Sequence, residues 1–432
     1  MHTGVAAIAA YDHRVMTAAL RPVRWFRDFG RPPRILGLDV ARGLAILGMA
    51  GAHVGVTEAF EWGDPTTWTD LVHGRSSILF ALLAGVSIAL MTGRDVLPER
   101  ERVPSIRLNL VGRGAVIFVI GLALELLNTP IAVILTLYGL LYVAVIPVLR
   151  WRPWQLLLGA AVLALAGPAL LALLSAVALQ PFGAGIGFAL YGTYPITVWL
   201  ALVLGGMALG RLRVQELRTA VVALVVGVVL AAIGYGLGAL GAGAGLGGTG
   251  SLSSSTSGYS GSESIEILDD ESLDSLPAES LSSSSFIPDD AMPPSGWESY
   301  PEALAATDPL GSMVRAVFAV DPHSGGTAEI LGSGGFALAV VALCLLLSRP
   351  LRWLLLPLGA LGSMPLTAYS LHVVSVVVVA GPGGFIADNA FWALTALALL
   401  MVTTLWAMFV GRGPLERLVG KGAVAMAAVP RR

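Results

Sequence analysis

Charged residues are scarce in this sequence, and so is cysteine. Asp, Glu, Lys and Arg make up 12% of the 432 residues, whereas hydrophobic residues make up 56%. A soluble globular protein carries about 25% charged residues, so this composition excludes a water-facing surface over most of the chain. The single cysteine, Cys344, lies in an apolar run, which excludes a disulfide framework and a thiolate metal site. The apolar runs also lack the alternation of apolar and polar residues that barrel strands require.

Apolar runs of roughly 20 residues match the thickness of the hydrocarbon core of a bilayer. Only helices fit such runs, because every backbone N–H and C=O group in lipid needs a partner within its own segment. The sequence therefore predicts an all-α, polytopic transmembrane helix bundle of about ten helices. The predicted spans are 35–57, 76–93, 108–127, 130–149, 154–179, 194–212, 218–241, 329–348, 353–380 and 391–411. An eleventh span or a re-entrant segment would have to lie within a long span such as 353–380.

Basic residues crowd every second connection between these spans. They are Arg34 before the first span, then Arg94, Arg100, Arg102, Arg107, Arg150, Arg152, Arg211, Arg213, Arg218, Arg349 and Arg352, and finally Arg412, Arg417, Lys421, Arg431 and Arg432. The other connections hold only Arg75 and Arg315. Positively charged residues stay on the cytoplasmic side, so both termini are predicted to be cytoplasmic. We expect a multi-pass protein of the bacterial cytoplasmic (inner) membrane.

The spans divide the chain into five predicted regions. These are a basic cytoplasmic tail at 1–33, seven membrane helices within 34–241, an acidic Ser-rich extracytoplasmic loop at 242–328, three membrane helices within 329–412, and a cytoplasmic tail at 413–432. From Ser251 to Asp308 the loop carries twelve acidic residues and no Lys or Arg. That composition predicts disorder. A tolerated insertion is the favoured interpretation, since long loops cost little closure entropy; a lid or docking arm is the alternative.

Four histidines are predicted to lie toward the extracytoplasmic face. His53 is near the outer end of the first span, His73 just before the second, His323 just before the eighth, and His372 in the outer half of the ninth. An ionisable group at membrane depth is costly and is a functional candidate by default. For each one alone, a hydrogen-bonded interhelical histidine is the simpler interpretation. Together they predict a polar extracytoplasmic site.

Two further features have competing interpretations. No pair of the four histidines has ligand spacing such as i, i+4, and carboxylates are sparse around them, so no metal site is predicted. At the inner end of the first span, Asp39 and Arg42 stand three residues apart on one helix face. They form either a local ion pair or part of a cytoplasmic site for an anionic ligand.

Several segments resemble a known family of membrane proteins. The segments RILGLDVARGLAILGM, DLVHGRSSILFALLAGVSIAL, YGTYPITVWLALVLGGMALGRL, DPHSGGTAEILGSGGFALAV, LGSMPLTAYSLHVV and GPLERLV resemble the YeiB-type proteins, the domain of unknown function 418 group. The first two spans are also similar, more remotely, to heparan-α-glucosaminide N-acetyltransferase. The animal enzyme has an essential histidine well before its DLV motif. The corresponding stretch here, EAFEWGDPTTWT, has none, so His53 or His73 would have to substitute.

The resemblance implies a membrane-embedded acyltransferase. It would move an acyl group, most simply acetyl, from cytoplasmic acetyl-CoA or another acyl-CoA to an extracytoplasmic glycan or glycolipid. Arginines such as Arg42 would hold the CoA phosphates, in a cofactor-binding site that includes Asp39. His73 or His53 by preference, with His323 and His372, would supply a general base or carry the acyl group. Donors for the developing oxyanion would be Arg75, Tyr194, Ser324 and Tyr369.

A secondary transporter or exporter of a small molecule or envelope precursor is the alternative, and a non-catalytic scaffold is a third. Transporters commonly show inverted repeats and broken helices, and no internal repeat stands out in this sequence. The expected partners are the lipid bilayer and the cell-envelope acceptor, without nucleic acid. The sequence leaves the oligomeric state open, a dimer included.

Overall fold

A computed structural model of the chain describes residues 21–56, 61, 63–64, 67–68, 70, 72–179, 183–246 and 297–428. Most of the predicted basic tail and most of the predicted acidic loop lie outside the described residues. The described part is helical and contains no β-strand. The α-helices of seven or more residues are α1 Arg21–Asp28, α2 Leu36–Val54, α3 Arg75–Met91, α4 Val103–Glu125, α5 Leu135–Ala144, α6 Pro153–Ala178, α7 Ile196–Gly210, α8 Leu217–Gly243, α9 Tyr300–Ala306, α10 Pro309–Phe318, α11 Thr327–Leu347, α12 Arg352–Gly362, α13 Pro365–Ala380, α14 Asn389–Phe409 and α15 Pro414–Ala427.

The long helices coincide with the predicted spans, and the all-helical prediction is confirmed for the described residues. By length and composition, α4, α6, α8, α11 and α14 can each cross a membrane, and the bent pair α12–α13 makes a sixth candidate. The apolar helices α3, α5 and α7 are shorter. The structure thus supports a multi-pass helical membrane protein, while the count of ten spans and their orientation stay predictions.

The arginine-rich connections meet at one end of the bundle. Arg211, directly after α7, is buried and donates to the carbonyl oxygens of Thr92 at 3.3 Å, Arg94 at 3.2 Å and Leu149 at 2.8 Å. These bonds tie together the connections that follow α3, α5 and α7. We call this side of the bundle the arginine-rich end.

The connections that carry the histidines meet at the opposite end. There the backbone N–H of Asp388 donates to the carbonyl of Val54 at 2.7 Å, and that of Gly383 donates to the carbonyl of Asn128 at 2.6 Å. The segments that follow α2, α4 and α13 are therefore neighbours. We call this side the histidine end.

Small residues bring the helix backbones close together. A Cβ atom on Gly234 of α8 would overlap the backbone of Gly332 in α11, and one on Gly227 would overlap Gly335 and Ala339. Close approach of this kind is how helices associate in lipid, where lipid tails are as apolar as the side chains. Helices α8 and α11 therefore pack with their backbones in direct contact.

The predicted span 353–380 is interrupted. Helix α12 ends at Gly362, α13 begins at Pro365, and the two axes meet at 72°. Proline has no N–H to donate back to the preceding turn and its ring clashes with it, so a helix breaks there. The sharp bend thus lies within 353–380, the predicted span that could contain a re-entrant segment. Helix α13 starts inside the protein.

Candidate active site

His53 and His372 meet between α2 and α13. The Nδ1 atom of His53 lies 3.2 Å from the Nε2 atom of His372, and the rings stack with centroids 5.4 Å apart and planes 11° apart. One of these nitrogens carries the proton that it donates to the other. His372 is 1% exposed, whereas His53 is only half-buried. His53 is therefore the more accessible member of the pair, and His372 holds its ring.

The first turn of α13 is capped by a carboxylate from another helix. Glu416 of α15 accepts hydrogen bonds from the backbone N–H groups of Leu366 at 2.8 Å and Thr367 at 3.1 Å, and from the Thr367 hydroxyl at 2.5 Å. The first N–H groups of a helix have no partner within it, and a carboxylate also suits the positive end of the helix dipole. This cap fixes the helix that carries His372.

A short loop before α11 is organised around Glu329, which is 3% exposed. Its carboxylate accepts from the backbone N–H groups of His323 and Gly325, both at 2.7 Å, and from the Ser324 hydroxyl at 3.1 Å. His323 adopts φ +64°, a left-handed conformation that is uncommon for residues other than glycine. Its ring meets the Tyr194 ring edge-on, with centroids 5.5 Å apart.

His73 belongs to the same end of the bundle. It precedes Gly74, and a Cβ atom on Gly74 would come within 2.7 Å of the Cβ of Pro322. The connections that carry His73 and His323 therefore touch. His73 is half-buried, and its Nδ1 atom is buried without a hydrogen-bond partner among the described residues. His53 is close enough to His73 and His323 to interact with both electrostatically.

Burial and the charge of His73 lower the pKa of His323 to about 4. The loop that carries His323 lies outside the helices that can cross a membrane. With this lowered pKa, the imidazole ring of His323 is neutral at neutral pH. A neutral imidazole can accept a proton or donate one hydrogen bond.

The arginine-rich end opens into two adjoining cavities. The outer one, of about 360 Å³, is lined by Arg34, Asp39, Arg42 and Arg94 among others. Arg42 also lines the inner one, of about 110 Å³, which passes Ser87 and Tyr142 and ends at Tyr138 and the start of α13. Arg42 therefore lies where the basic opening meets the inner cavity.

Asp39 and Arg42 form the ion pair that their spacing predicts. Arg42 donates to Asp39 at 2.6 Å and to the Ser87 hydroxyl at 2.9 Å, and Arg34 donates to the second Asp39 oxygen at 2.9 Å. One carboxylate is shared by two guanidinium groups. The opening, which Arg94 also lines, thus carries an excess of positive charge and can attract an anion.

One buried tyrosine lines the inner cavity, and another stands near the histidine pair. Tyr138 is 3% exposed and its hydroxyl has no hydrogen-bond partner among the described residues. Tyr369, 2% exposed, lies near the backbone of Ile134 but makes no well-formed hydrogen bond, and its ring stands 6.5 Å from that of His53. A buried polar group without a partner is costly. These hydroxyls are therefore free to bind a ligand or water.

The remaining predicted site residues have structural partners. Arg75 donates to the Tyr235 hydroxyl at 2.7 Å and to the Asp70 carbonyl at 2.9 Å. The Tyr194 hydroxyl donates to the Ala132 carbonyl at 3.1 Å, and the Ser324 hydroxyl to Glu329. Their predicted role as oxyanion donors is untested. In this structure each of them positions a neighbouring segment at the histidine end.

Some residues that shape the site were not among the predicted site residues. The sequence analysis gives Tyr138 no role, and Glu329 and Glu416 stand inside quoted motifs without a role. A carboxylate within or beside an apolar run is the sequence signal that would have singled out both glutamates. Among the described residues, no group of three His, Cys, Asp or Glu side chains could hold a metal ion.

Comparison with known protein families gives a match. Residues 34–234 match the family model described as Heparan-alpha-glucosaminide N-acetyltransferase, catalytic. The matched part runs from Arg34 into α8 and includes His53, His73 and Arg42. No curated protein and no solved structure matches the chain significantly. The resemblance to the acetyltransferase is thereby confirmed over this part, while the YeiB-type assignment stays a prediction.

Proposed function

We propose that the chain is a membrane acyltransferase, starting from the premise that residues 34–234 are similar to a catalytic N-acetyltransferase family. The donor is acetyl-CoA or another acyl-CoA that enters at the arginine-rich end. The acceptor is an amine or hydroxyl of a cell-envelope glycan or glycolipid that enters at the histidine end. If the arginine-rich end is cytoplasmic, as the positive charges predict, the acyl group crosses the membrane within the protein.

One observation carries this proposal: Arg42 lines both cavities, so the basic opening continues inward to Tyr138 and to the start of α13. CoA has the matching shape, because its phosphates are anionic and its pantetheine arm is long, thin and uncharged. Arg34, Arg42 and Arg94 would bind the phosphates. The arm would occupy the inner cavity, and the thioester would lie beside Tyr138 and Tyr369.

The chemistry follows from the pairing of the histidines. His53 accepts the proton of the acceptor amine or hydroxyl as its nitrogen or oxygen attacks the thioester carbonyl. The C–S bond breaks, and the CoA thiolate leaves and takes up a proton. His372 positions His53 by holding its Nδ1, and the Tyr138 and Tyr369 hydroxyls donate to the developing oxyanion. Transient transfer of the acyl group to His53 is the stepwise version of the same reaction.

The test is turnover by the purified full-length chain in lipid nanodiscs. With acetyl-CoA and glucosamine as the probe pair, we expect release of the free CoA thiol and formation of the N-acetylated amine. His53→Asn should lower kcat by about 10²- to 10⁴-fold, the usual contribution of a general base. Arg42→Gln should raise the KM for acetyl-CoA while kcat changes little, and the exposed Arg150→Gln variant is the matched control.

The outcomes separate the alternatives. A wild-type protein that releases no thiol with amine or hydroxyl acceptors would contradict acyl transfer. It would favour the transporter, for which the broken pair α12–α13 is the supporting observation. Full turnover by His53→Asn with unchanged thermal stability would be consistent with acyl transfer, but it would show that His53 is not the general base.

A further inference from the structure

A separate cavity of about 320 Å³ opens at the arginine-rich end. It lies where the segment before α2, the start of α8 and the connection from α11 to α12 come together. Four arginines line it: Arg31, Arg34, Arg349 and Arg352. They come from two distant parts of the chain, and only the packing of the helices brings them to one opening.

The positive charge of this cavity is largely uncompensated. Arg34 is paired with Asp39, and the carboxylate in the lining, Glu216, accepts from Arg213 at 3.3 Å. No ion pair neutralises Arg31, Arg349 or Arg352 within the part of the chain that the structure describes.

Two of the arginines are held in place. Arg349 donates to the Gln215 carbonyl at 2.9 Å. Arg352 donates through Nη2 to the carbonyls of Phe26, Arg27 and Phe29, while its buried Nε has no partner among the described residues. The lining thus presents preorganised guanidinium groups with hydrogen-bonding capacity to spare, as an anionic oxygen requires.

The rest of the lining is apolar. Leu36 of α2, Leu217 and Ala220 of α8, and Leu345 and Leu346 of α11 form it. Helices α8 and α11 are both long and apolar enough to cross a membrane, and Leu217 is 66% exposed. The opening is therefore charged at its rim and continuous with a lipid-facing surface. The Arg352 guanidinium also lies 4.5 Å from the centre of the Trp353 ring, and tryptophan is enriched at the membrane–water interface.

We propose that this cavity binds an anionic phospholipid, with its phosphate headgroup on Arg31, Arg349 and Arg352 and an acyl chain along Leu217 and Leu345. A basic pocket between membrane helices suits such headgroups. A soluble phosphate compound can bind the arginines, but it has no apolar group to pack against the apolar wall of the cavity. The bound lipid would join the segment after α1 to the connection before α12. Because Arg34 lines both this cavity and the acyl-CoA opening, the lipid would also steady the rim of the donor site.

The experiment measures thermal unfolding of the full-length chain in detergent, with phosphatidylglycerol or phosphatidylcholine of identical acyl chains added. We expect phosphatidylglycerol to raise Tm more than phosphatidylcholine. The double variant Arg31→Gln/Arg349→Gln should weaken the apparent affinity for phosphatidylglycerol roughly 30-fold, from about 1 kcal/mol per arginine. The double variant Arg150→Gln/Arg218→Gln removes two exposed arginines of the same end and should behave as wild type.

Two further arms keep the proposal open to refutation. Arg31→Lys/Arg349→Lys retains the charge and should retain the lipid preference, which covers the case in which the Gln variant does not fold. Inorganic phosphate at the same concentration should neither reproduce the protection nor displace the lipid. Equal protection by the two lipids, or displacement of the lipid by inorganic phosphate, would overturn the lipid site. Neither result depends on acyl transfer, so this proposal and the proposed function can fail separately.

Discussion

His323 combines two unusual properties at one residue. Its backbone is left-handed, with φ +64°, and its amide donates to Glu329 at 2.7 Å. Its side chain is placed against Tyr194, and burial lowers its pKa to about 4. A strained backbone kept in place by a buried carboxylate is typical of a segment whose geometry serves a function.

The lowered pKa of His323 makes a prediction about pH. In the unfolded chain His323 has an ordinary histidine pKa of about 6.5. Between pH 6.5 and 4, His323 is therefore protonated in the unfolded state but neutral in the folded state. Stability contributed by the neutral ring is therefore lost as the pH falls through that window. His323→Gln should show a smaller loss of Tm between pH 7 and pH 4.5 than wild type, measured by scanning fluorimetry.

The control for this experiment is His13→Gln, which changes a histidine of the N-terminal segment outside the described residues. It should follow the wild-type pH profile. Parallel profiles for His323→Gln and wild type would show that protonation of His323 does not limit stability. His73 and Glu329 face the same loop, so the comparison is made between variants rather than from the wild-type slope alone.

Some residue positions could be predicted from the sequence and others could not. The alternation of arginine-rich connections was sufficient to predict that His53, His73, His323 and His372 lie toward one end. The contact between His53 and His372 joins residues 319 positions apart. No local pattern predicts such a pairing, because it depends on how α2 and α13 pack.

At the scale of elements, the bend between α12 and α13 decides where the site can be. It lets α13 begin inside the protein, with Tyr369 in its second turn and His372 close behind. The sequence predicted helices at both places, since apolar length marks a span. It could not predict the 72° angle, because the start of α13 also contacts the Glu416 carboxylate of α15, about 50 positions away in the chain.

We expect Glu416→Ala to loosen α13. The change removes the partner of two backbone N–H groups and one hydroxyl, each in a bond to a charged acceptor. Such bonds contribute about 1.5–3 kcal/mol each and are not additive. The variant should have a lower Tm, and in the transfer assay a lower kcat with an unchanged KM for acyl-CoA. Exposed Glu302 of α9 supplies the control, Glu302→Ala. A normal Tm and kcat in Glu416→Ala would show that the cap does not position α13.

At the scale of the whole molecule, the two ends differ in chemistry. One end has the arginine-rich connections and the basic cavities, and the other has the histidines. The distribution of Arg between connections predicts which segments share an end, and the membrane orientation that it implies stays a prediction. Cavities form where several helices diverge, so their sizes and connections could be learned only from the three-dimensional structure.

We predict that the arginine-rich end faces the cytoplasm. The single cysteine makes this easy to test, because Cys344 is buried and Cys344→Ala yields a cysteine-free background. In that background, Trp297→Cys near the histidine end should react with a membrane-impermeant maleimide on intact cells. Arg213→Cys at the arginine-rich end should react only after permeabilisation. The reverse labelling pattern would invert the topology and place the donor cavity outside the cell.

The Glu416 cap also has a consequence for the order of synthesis. Glu416 follows α14 in the chain, whereas the helix that it caps starts at Pro365. The earlier helices can be inserted one after another as they leave the ribosome, but α13 lacks its cap until α15 has been made. His372 is therefore expected to reach its final position beside His53 late, after α15 has been made.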